Sequence, residues 1–359
     1  MDNFSHSESS RSLLHVTPEW EIPQVMEALS AALDGSGPAL TFGKTERESV
    51  PPSCAIVIPT SGSTGIPKDV ALSASALISS ARASHKYLDA KPGHIWSLLL
   101  PITHIAGINV LVRALELGTL PVEIDRRADF TAIVPTQLHR ALHGEEKLLS
   151  HLQDANSVLV GGAASSDNLL AQARSAGIHV VTTYGMSEMC GGCIYNGVPL
   201  DGVQVQLNDA GAIQLAGPMQ SMGYLNAPEL WREVTDEKWF TTSDSGEHKD
   251  GRWVVTGRLD DQINSGGKKI SLAVIDNFLH EKFPRQRFAS LAISDSEWGE
   301  KLLLAVDGSM DENMIKDALR IEFGAHAVPK AILFGVEIPL LSIGKPDREK
   351  LRKLFEKID

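Results

Sequence analysis

The spacing of apolar and polar positions changes character along the chain. Before residue 53 one helical pattern stands out, over 23–33, closed by Gly35-Ser36-Gly37-Pro38. Cys54-Ala-Ile-Val-Ile58 is a short, wholly apolar run, the pattern of a strand buried on both faces. Residues 71–87, rich in Ala and Ser, predict a helix, 94–100 a strand, and 105–117 a helix stopped by Gly118. Strands over 157–160 and 178–182 flank a helix near 168–176. Such alternation predicts an α/β protein with a largely parallel sheet covered by helices.

Past Thr183 the runs become short, alternating and turn-bounded (203–207, 212–215, 252–256), which predicts a small antiparallel β region. A further unit follows. Leu272, Ile275, Leu279 and Phe283 fall at helical spacing, 288–294 and 301–306 read as strands, and 314–323 and 348–358 as helices. The expected organisation is a large N-terminal domain over 1–258, of layered sheets and helices with its front subdomain shortened, and a smaller, mobile α+β domain over 259–359.

Composition narrows the function classes. A net charge of −12 over 359 residues repels a phosphate backbone, which argues against nucleic acid as a partner. No apolar run approaches the ~20 residues that span a bilayer. The polar start MDNFSHSESSRS lacks the apolar core of a secretory leader. Three cysteines cannot build a disulfide framework, which suits a reducing cytoplasm. The expectation is a cytoplasmic protein acting on small molecules.

Four strings carry chemistry. Thr60-Ser61-Gly62-Ser63-Thr64-Gly65-Ile-Pro-Lys68 follows a strand. Glycines let the backbone approach a ligand, while hydroxyls, N–H groups and a lysine surround an anion. The other reading is a surface turn; the string lacks the spacing of a P-loop. Thr183-Tyr184-Gly185-Met-Ser187-Glu188 sets a hydroxyl beside a carboxylate, which suits a phosphate oxygen with Mg²⁺, or else only caps a helix start. Thr242-Ser-Asp244-Ser-Gly246 and Thr256-Gly-Arg258-Leu-Asp260-Asp offer a carboxylate for vicinal hydroxyls and an arginine for phosphate or ribose; the alternative is a turn and a surface ion pair. Pro339-Leu-Leu-Ser-Ile-Gly-Lys345-Pro-Asp-Arg348 puts a lysine on a Gly-flanked loop, where a plain surface lysine is the commoner case.

In this order, from about Ala55 to the C-terminus, the strings resemble the adenylate-forming superfamily of acyl- and aryl-CoA ligases. Pro101-Ile-Thr-His104-Ile-Ala-Gly107 and Tyr184-Gly-Met-Ser-Glu-Met-Cys190-Gly-Gly192-Cys193 are similar to segments of its compact o-succinylbenzoate–CoA ligases of menaquinone biosynthesis. The resemblance implies ATP, Mg²⁺ and coenzyme A, an acyl-adenylate intermediate, and release of pyrophosphate and AMP. It implies that residues Thr60 to Gly65 and Lys68 cover the β- and γ-phosphates, that Ser187 meets the α-phosphate, and that Glu188 binds the metal. Gly161, Gly162, Ala163 and Tyr184 would line the adenine slot, Asp244 and Arg258 would take the ribose, and Lys345 would serve adenylation. Asp260 would be the hinge, and Gly266 and Gly267 would line the coenzyme A tunnel.

For the second carboxylate of o-succinylbenzoate the candidates are His104, equally a core or pocket histidine, and Arg113, whose commoner reading is a solvated helix face; Gly185 and Gly192 would leave room beside the acyl group. Cys190 and Cys193 read as pocket or core thiols rather than a zinc or redox pair. The chain departs from the family at Asp69, Ser243 and Asn264, where Gly, Gly and Lys are usual; Asp69 adds negative charge next to the phosphate loop. The front is also short, so part of the acyl-site wall is either missing or supplied by a partner subunit, making a homodimer a candidate. Two alternatives stand beside this ligase: another aryl- or fatty-acyl-CoA ligase, and a catalytically silent AMP-binding protein.

Overall fold

A computed structural model describes residues 10–61, 67–259, 261–265, 268–295, 299–340 and 346–356. It is a mixed α/β protein. The chain forms two compact units, one of residues 1–206, 214–241 and 250–253, the other of 207–213, 242–249 and 254–359. Strands Gln204–Leu207, Ala212–Ala216, Trp239–Lys249 and Arg252–Arg258 each carry the chain from one unit into the other.

Two six-stranded sheets organise the first unit. In one, Arg11–His15, Ala39–Thr41 and Cys54–Ser61 run parallel. Pro67–Ser73 folds back antiparallel on Cys54–Ser61, and Gly223–Tyr224 joins its far edge. In the other, Trp96–Ser97, Phe130–Ile133, Ser157–Val160 and Val180–Met186 are parallel, and Gly191–Tyr195 reverses direction beside the last. The expectation of a largely parallel sheet thus holds for four strands of the second sheet, whose other edge is antiparallel, while the first sheet has three parallel strands.

Local signals explain most elements. Ser73 caps Ala74–Leu88 by accepting from the Ala76 N–H, and Gly35 ends Ile22–Asp34 in the left-handed conformation. The helix expected over 71–87 begins three residues late. Residues Val70, Ala71 and Leu72 pair with Ile58, Val57 and Ile56 instead, because strand pairing satisfies their backbone groups and buries them completely. The strand expected over 94–100 shrinks to Trp96–Ser97. Its flanks bond elsewhere: the Ile95 N–H to the Asp129 carboxylate and the Leu98 N–H to the Val122 carbonyl.

Helix Ile105–Glu116 is buried at every position from Gly107 to Ala114. It is apolar nearly all round, the pattern of a helix enclosed by the fold rather than lying on its surface. Full burial of a side chain such as Ile108 or Leu111 contributes about 1.5–3 kcal/mol.

In the second unit, Arg287–Asp295 and Gly299–Asp307 form a long antiparallel pair with Ala331–Phe334 parallel on the outer side. Helices Leu272–Lys282 and Glu312–Phe323 supply Ile275, Leu279, Ile315 and Leu319 to its core. Among the described residues no helix is long and apolar enough to cross a membrane.

Candidate active site

In open α/β sheets ligands bind beyond the carboxyl ends of the parallel strands. Gly161, Gly162 and Ala163 follow the end of Ser157–Val160, and Tyr184 and Gly185 lie at the end of Val180–Met186 beside it. The two strand ends approach closely. A Cβ on Gly161 would sit 2.1 Å from the Thr183 hydroxyl, so only glycine fits there.

Ser187 and Glu188 occupy the 3₁₀ turn that follows, Ser187–Met189. Cys190 closes this turn in the left-handed region, with φ of 50°. That conformation is uncommon without glycine, and two buried donors hold it. Asn109 Nδ2 and Ser80 Oγ donate to the Cys190 carbonyl at 2.7 and 3.1 Å. The enclosed helix thereby fixes the turn that carries Glu188.

The hairpin between Cys54–Ser61 and Pro67–Ser73 carries the first chemical string. Thr60 pairs with Lys68, and Ser61 with Pro67. Gly62, Ser63, Thr64 and Gly65 lie outside the described residues. Lys68 extends over the ring of Tyr224, with Nζ 4.9 Å from the ring centre. The Tyr224 hydroxyl donates to Glu188 Oε1 at 2.7 Å. Burial first, and the Glu188 carboxylate second, push the phenol well above its usual range, so it keeps its proton and remains a donor. One tyrosine therefore gathers the hairpin lysine and the acid of the 3₁₀ turn.

Sequence reasoning missed Tyr224. It lies 36 residues beyond Glu188 and reaches it because Gly223–Tyr224 pairs with Val70 and Ala71. The available signal was an aromatic in a small, turn-rich stretch, Ser221-Met-Gly-Tyr-Leu-Asn226.

Asp69, next along the strand, turns away from Lys68 by the alternation of a strand. It accepts from the Thr45 hydroxyl at 2.8 Å, and Arg47 Nε lies 3.6 Å away. Its charge is thus met within the fold.

His104 and Arg113 do not come together. His104 is exposed at the N-cap of Ile105–Glu116, and Arg113 lies nine residues on, ~13 Å along the axis. Arg113 is 3% exposed, which corrects the reading of a solvated face: the helix has no solvated face there. Its Nη2 donates to the Tyr195 hydroxyl at 3.0 Å, and its guanidinium stacks 4.9 Å from the Trp96 ring centre. Among the described residues its Nε has no hydrogen-bond partner. His85, beside the same indole, is held down to about 4 by burial and then by Arg113. A Cβ on Gly192 would meet the Tyr195 ring at 2.9 Å, so the room at this glycine is filled by that ring.

Cys54, Cys190 and Cys193 are free and buried, and burial pushes all three thiols up, Cys193 to about 12. Inert core thiols fit this setting.

In the second unit, Arg258 Nη1 lies 3.7 Å from Asp244 Oδ1, and the Asp244 N–H donates to the Thr242 hydroxyl. Asp260, Gly266, Gly267 and Lys345 lie outside the described residues. Pro346 bridges to Leu340, and the Asp347 N–H donates to the Pro339 carbonyl.

Among the described residues no group of three or more acidic, His or Cys side chains could hold a metal by itself. Glu188 with the Ser187 hydroxyl instead offers one hard carboxylate, a donor set suited to Mg²⁺ that arrives on phosphates and keeps most of its water.

Comparison with known proteins adds four findings. Residues 7–224 match the family described as AMP-binding enzyme. A protein of Mycobacterium tuberculosis described as "Probable 2-succinylbenzoate--CoA ligase" is 33% identical over 95% of this chain and 98% of its own length. The 2-succinylbenzoate–CoA ligase of Lactococcus lactis is 26% identical over 83% of this chain and 70% of its own. Among solved structures, the o-succinylbenzoate CoA synthetase of Bacillus subtilis shares the fold with a TM-score of 0.76, at 20% identity, over 95% of this chain and 78% of that one.

Proposed function

This chain belongs to the AMP-binding enzyme family, and from that premise we propose that it is an ATP-dependent ligase joining 2-succinylbenzoate to coenzyme A in the cytoplasm, as a step of menaquinone biosynthesis. The reaction passes through an acyl-adenylate and releases pyrophosphate and then AMP. The observation that carries this reading is the convergence of Lys68 and Glu188 on Tyr224.

The difficulty of the first step is charge: an anionic carboxylate must approach an anionic phosphate. Lys68, steered by the Tyr224 ring, supplies a cation to the terminal phosphates together with the backbone of the hairpin loop. The phenolic proton of Tyr224 fixes the Glu188 carboxylate. Glu188 would hold the Mg²⁺ that accompanies ATP, and the ion would supply charge to offset the phosphates and the departing pyrophosphate. Ser187 donates to the α-phosphate, and Gly161, Gly162, Ala163 and Tyr184 take the adenine. Asp244 and Arg258 serve the ribose. Lys345 serves adenylation and gives way on rotation about Asp260, after which Gly266 and Gly267 admit the pantetheine arm. These roles rest on the resemblance.

The choice of acid is supported by the succinylbenzoate relatives and by Arg113. A guanidinium enclosed without an acidic partner is costly until an anion meets it, and the ring carboxylate that does not react is such an anion. By the resemblance, His104, which is exposed, would serve the mouth of the acyl site, and Gly185 and Gly192 its wall. The test is pyrophosphate release from ATP and Mg²⁺ across a panel of acids. The highest kcat/KM is expected for 2-succinylbenzoate. Faster turnover of benzoate or a fatty acid moves the chain to another ligase class, and ATP binding without pyrophosphate release from any acid makes it catalytically silent.

A further inference from the structure

Helix Ile105–Glu116 leaves open what aims its single arginine. Among the described residues the partners of Arg113 are neutral: the Tyr195 hydroxyl at 3.0 Å and the face of Trp96 at 4.9 Å. Tyr195 is itself held. Its hydroxyl lies 3.0 Å from Ser84 Oγ, and Tyr87 packs edge-on against its ring at 5.2 Å. Tyr195, Trp96 and Ser84 are all completely buried.

This arrangement has a chemical consequence. A guanidinium recognises a carboxylate through a planar fork of N–H groups, so its plane and its rotation both matter. The indole sets the plane. The phenol engages one corner, and because Arg113 donates to the phenolic oxygen, the phenolic proton is free to donate to Ser84. Among the described residues, Arg113 Nε, Trp96 Nε1 and His85 Nε2 then remain as three buried nitrogens without hydrogen-bond partners in one cluster. Buried polar groups without partners are rare in folded proteins, and a bound water, ion or ligand group is one way to satisfy them.

We infer that Tyr195, tethered by Ser84, is a positioning residue that aims Arg113 at the non-reacting ring carboxylate of the acid and so sets selectivity for diacids. The inference rests on the proposed role of Arg113. Tyr195 touches neither the substrate nor the reacting atoms; it acts through the guanidinium, while Trp96 fixes the plane.

The experiment compares the full chain with its Tyr195→Phe, Ser84→Ala and Arg113→Met variants. Pyrophosphate release is followed with 2-succinylbenzoate and with 3-benzoylpropionate, the same keto acid without the ring carboxylate. Tyr195→Phe is expected to raise KM for 2-succinylbenzoate about tenfold, the cost of one charge-assisted hydrogen bond, with kcat within about twofold and KM for 3-benzoylpropionate unchanged. Ser84→Ala should shift the same ratio in the same direction by about threefold, one step further from the charge. If Arg113→Met leaves the preference for the diacid intact, the role of Arg113 itself fails. If Arg113→Met erases the preference but Tyr195→Phe and Ser84→Ala do not change it, Arg113 stands and the positioning role of Tyr195 is overturned. A parallel rise in KM for both acids overturns it too, since that is what loosened packing alone would produce.

Discussion

Each unit holds an arginine within its fold, Arg113 buried and Arg348 partly buried, and the two are satisfied in opposite ways. In the second unit Arg348 meets Asp261 Oδ2 at 2.9 Å and Asp276 Oδ2 at 3.4 Å, and its Nε donates to the Ser290 carbonyl. In the first unit Arg113 meets a phenol and an indole and, among the described residues, no carboxylate. A cation neutralised by its own fold contributes to holding that fold together. A cation left without a counter-charge weakens the empty protein and gains its value when an anion arrives. The difference sets a structural arginine against the one proposed to meet substrate.

The sharpest way to break this contrast is to remove each charge. Arg113→Met is expected to lower kcat/KM for 2-succinylbenzoate about 100-fold, since losing one partner of a buried charge pair typically costs several kcal/mol. The urea midpoint should hold or rise, because an enclosed charge without a partner has been replaced by an apolar chain of similar length. An equal loss of stability would place Arg113 in the same class as Arg348.

Arg348→Met should act the other way, lowering unfolding stability by about 2 kcal/mol. This is below the usual cost of breaking a buried pair because the arginine is a quarter exposed. Asp276 would keep its buried carboxylate without a cation, and adding Asp276→Asn should recover part of the loss. A midpoint unchanged by Arg348→Met would show that the two carboxylates are not what this arginine serves.

Acid response sharpens the contrast further. His85, next to Arg113, is held down to about 4 by burial and then by that arginine, whereas in an unfolded chain it titrates near 6.5. Between those values the unfolded state binds the extra proton. The stability from neutral His85 is therefore complete above about pH 6.5 and is lost as pH falls toward 4. Asp276 is pushed up to about 6 by burial, with Arg348 opposing. Here the folded state binds the extra proton, so the contribution is complete below about pH 4 and is lost as pH rises toward 6. In the intact chain the two slopes, each about 1 kcal/mol per pH unit at most, oppose each other. Urea midpoints of His85→Phe should fall with rising pH over this window, and those of Asp276→Asn should rise. Equal profiles for both variants would remove the distinction.

How much could be read without coordinates follows the range of each signal. The hairpin string ending in Lys68 and the Ser187-Glu188 turn were legible because glycines, hydroxyls and charges lie within a few residues of one another. Tyr224 was not, since strand pairing with residues 70 and 71 brings it to Glu188 and nothing local announces that pairing. The late start of helix Ala74–Leu88 has the same origin, because the competing partner of residues 70–72 is a strand some fifteen positions earlier. The burial of Arg113 was hidden for a different reason. Asn109 and Glu116 fall on the same helix face as Arg113, a polar stripe of the kind that usually meets solvent, and only tertiary packing shows that Asn109 and Arg113 are buried.

Asp69 provides the finest test of the same principle, that a charge met within the fold serves the fold. From sequence alone, its place beside Lys68 adds negative charge next to the phosphate loop. Yet Thr45 and Arg47 both engage it, and its side chain is 8% exposed. Asp69→Asn keeps the shape and an acceptor for Thr45 while removing the charge from Arg47. It should lower stability by about 1 kcal/mol, the scale of one partly buried polar contact. KM for ATP should stay within about twofold, because a charge already compensated and on the opposite face of the strand changes little at the phosphates. Steady-state KM and a urea midpoint check both halves. A marked fall in KM for ATP on neutralising Asp69 would show that its charge reaches the phosphates after all, and that pairing inside the fold is not enough to class a charge as structural.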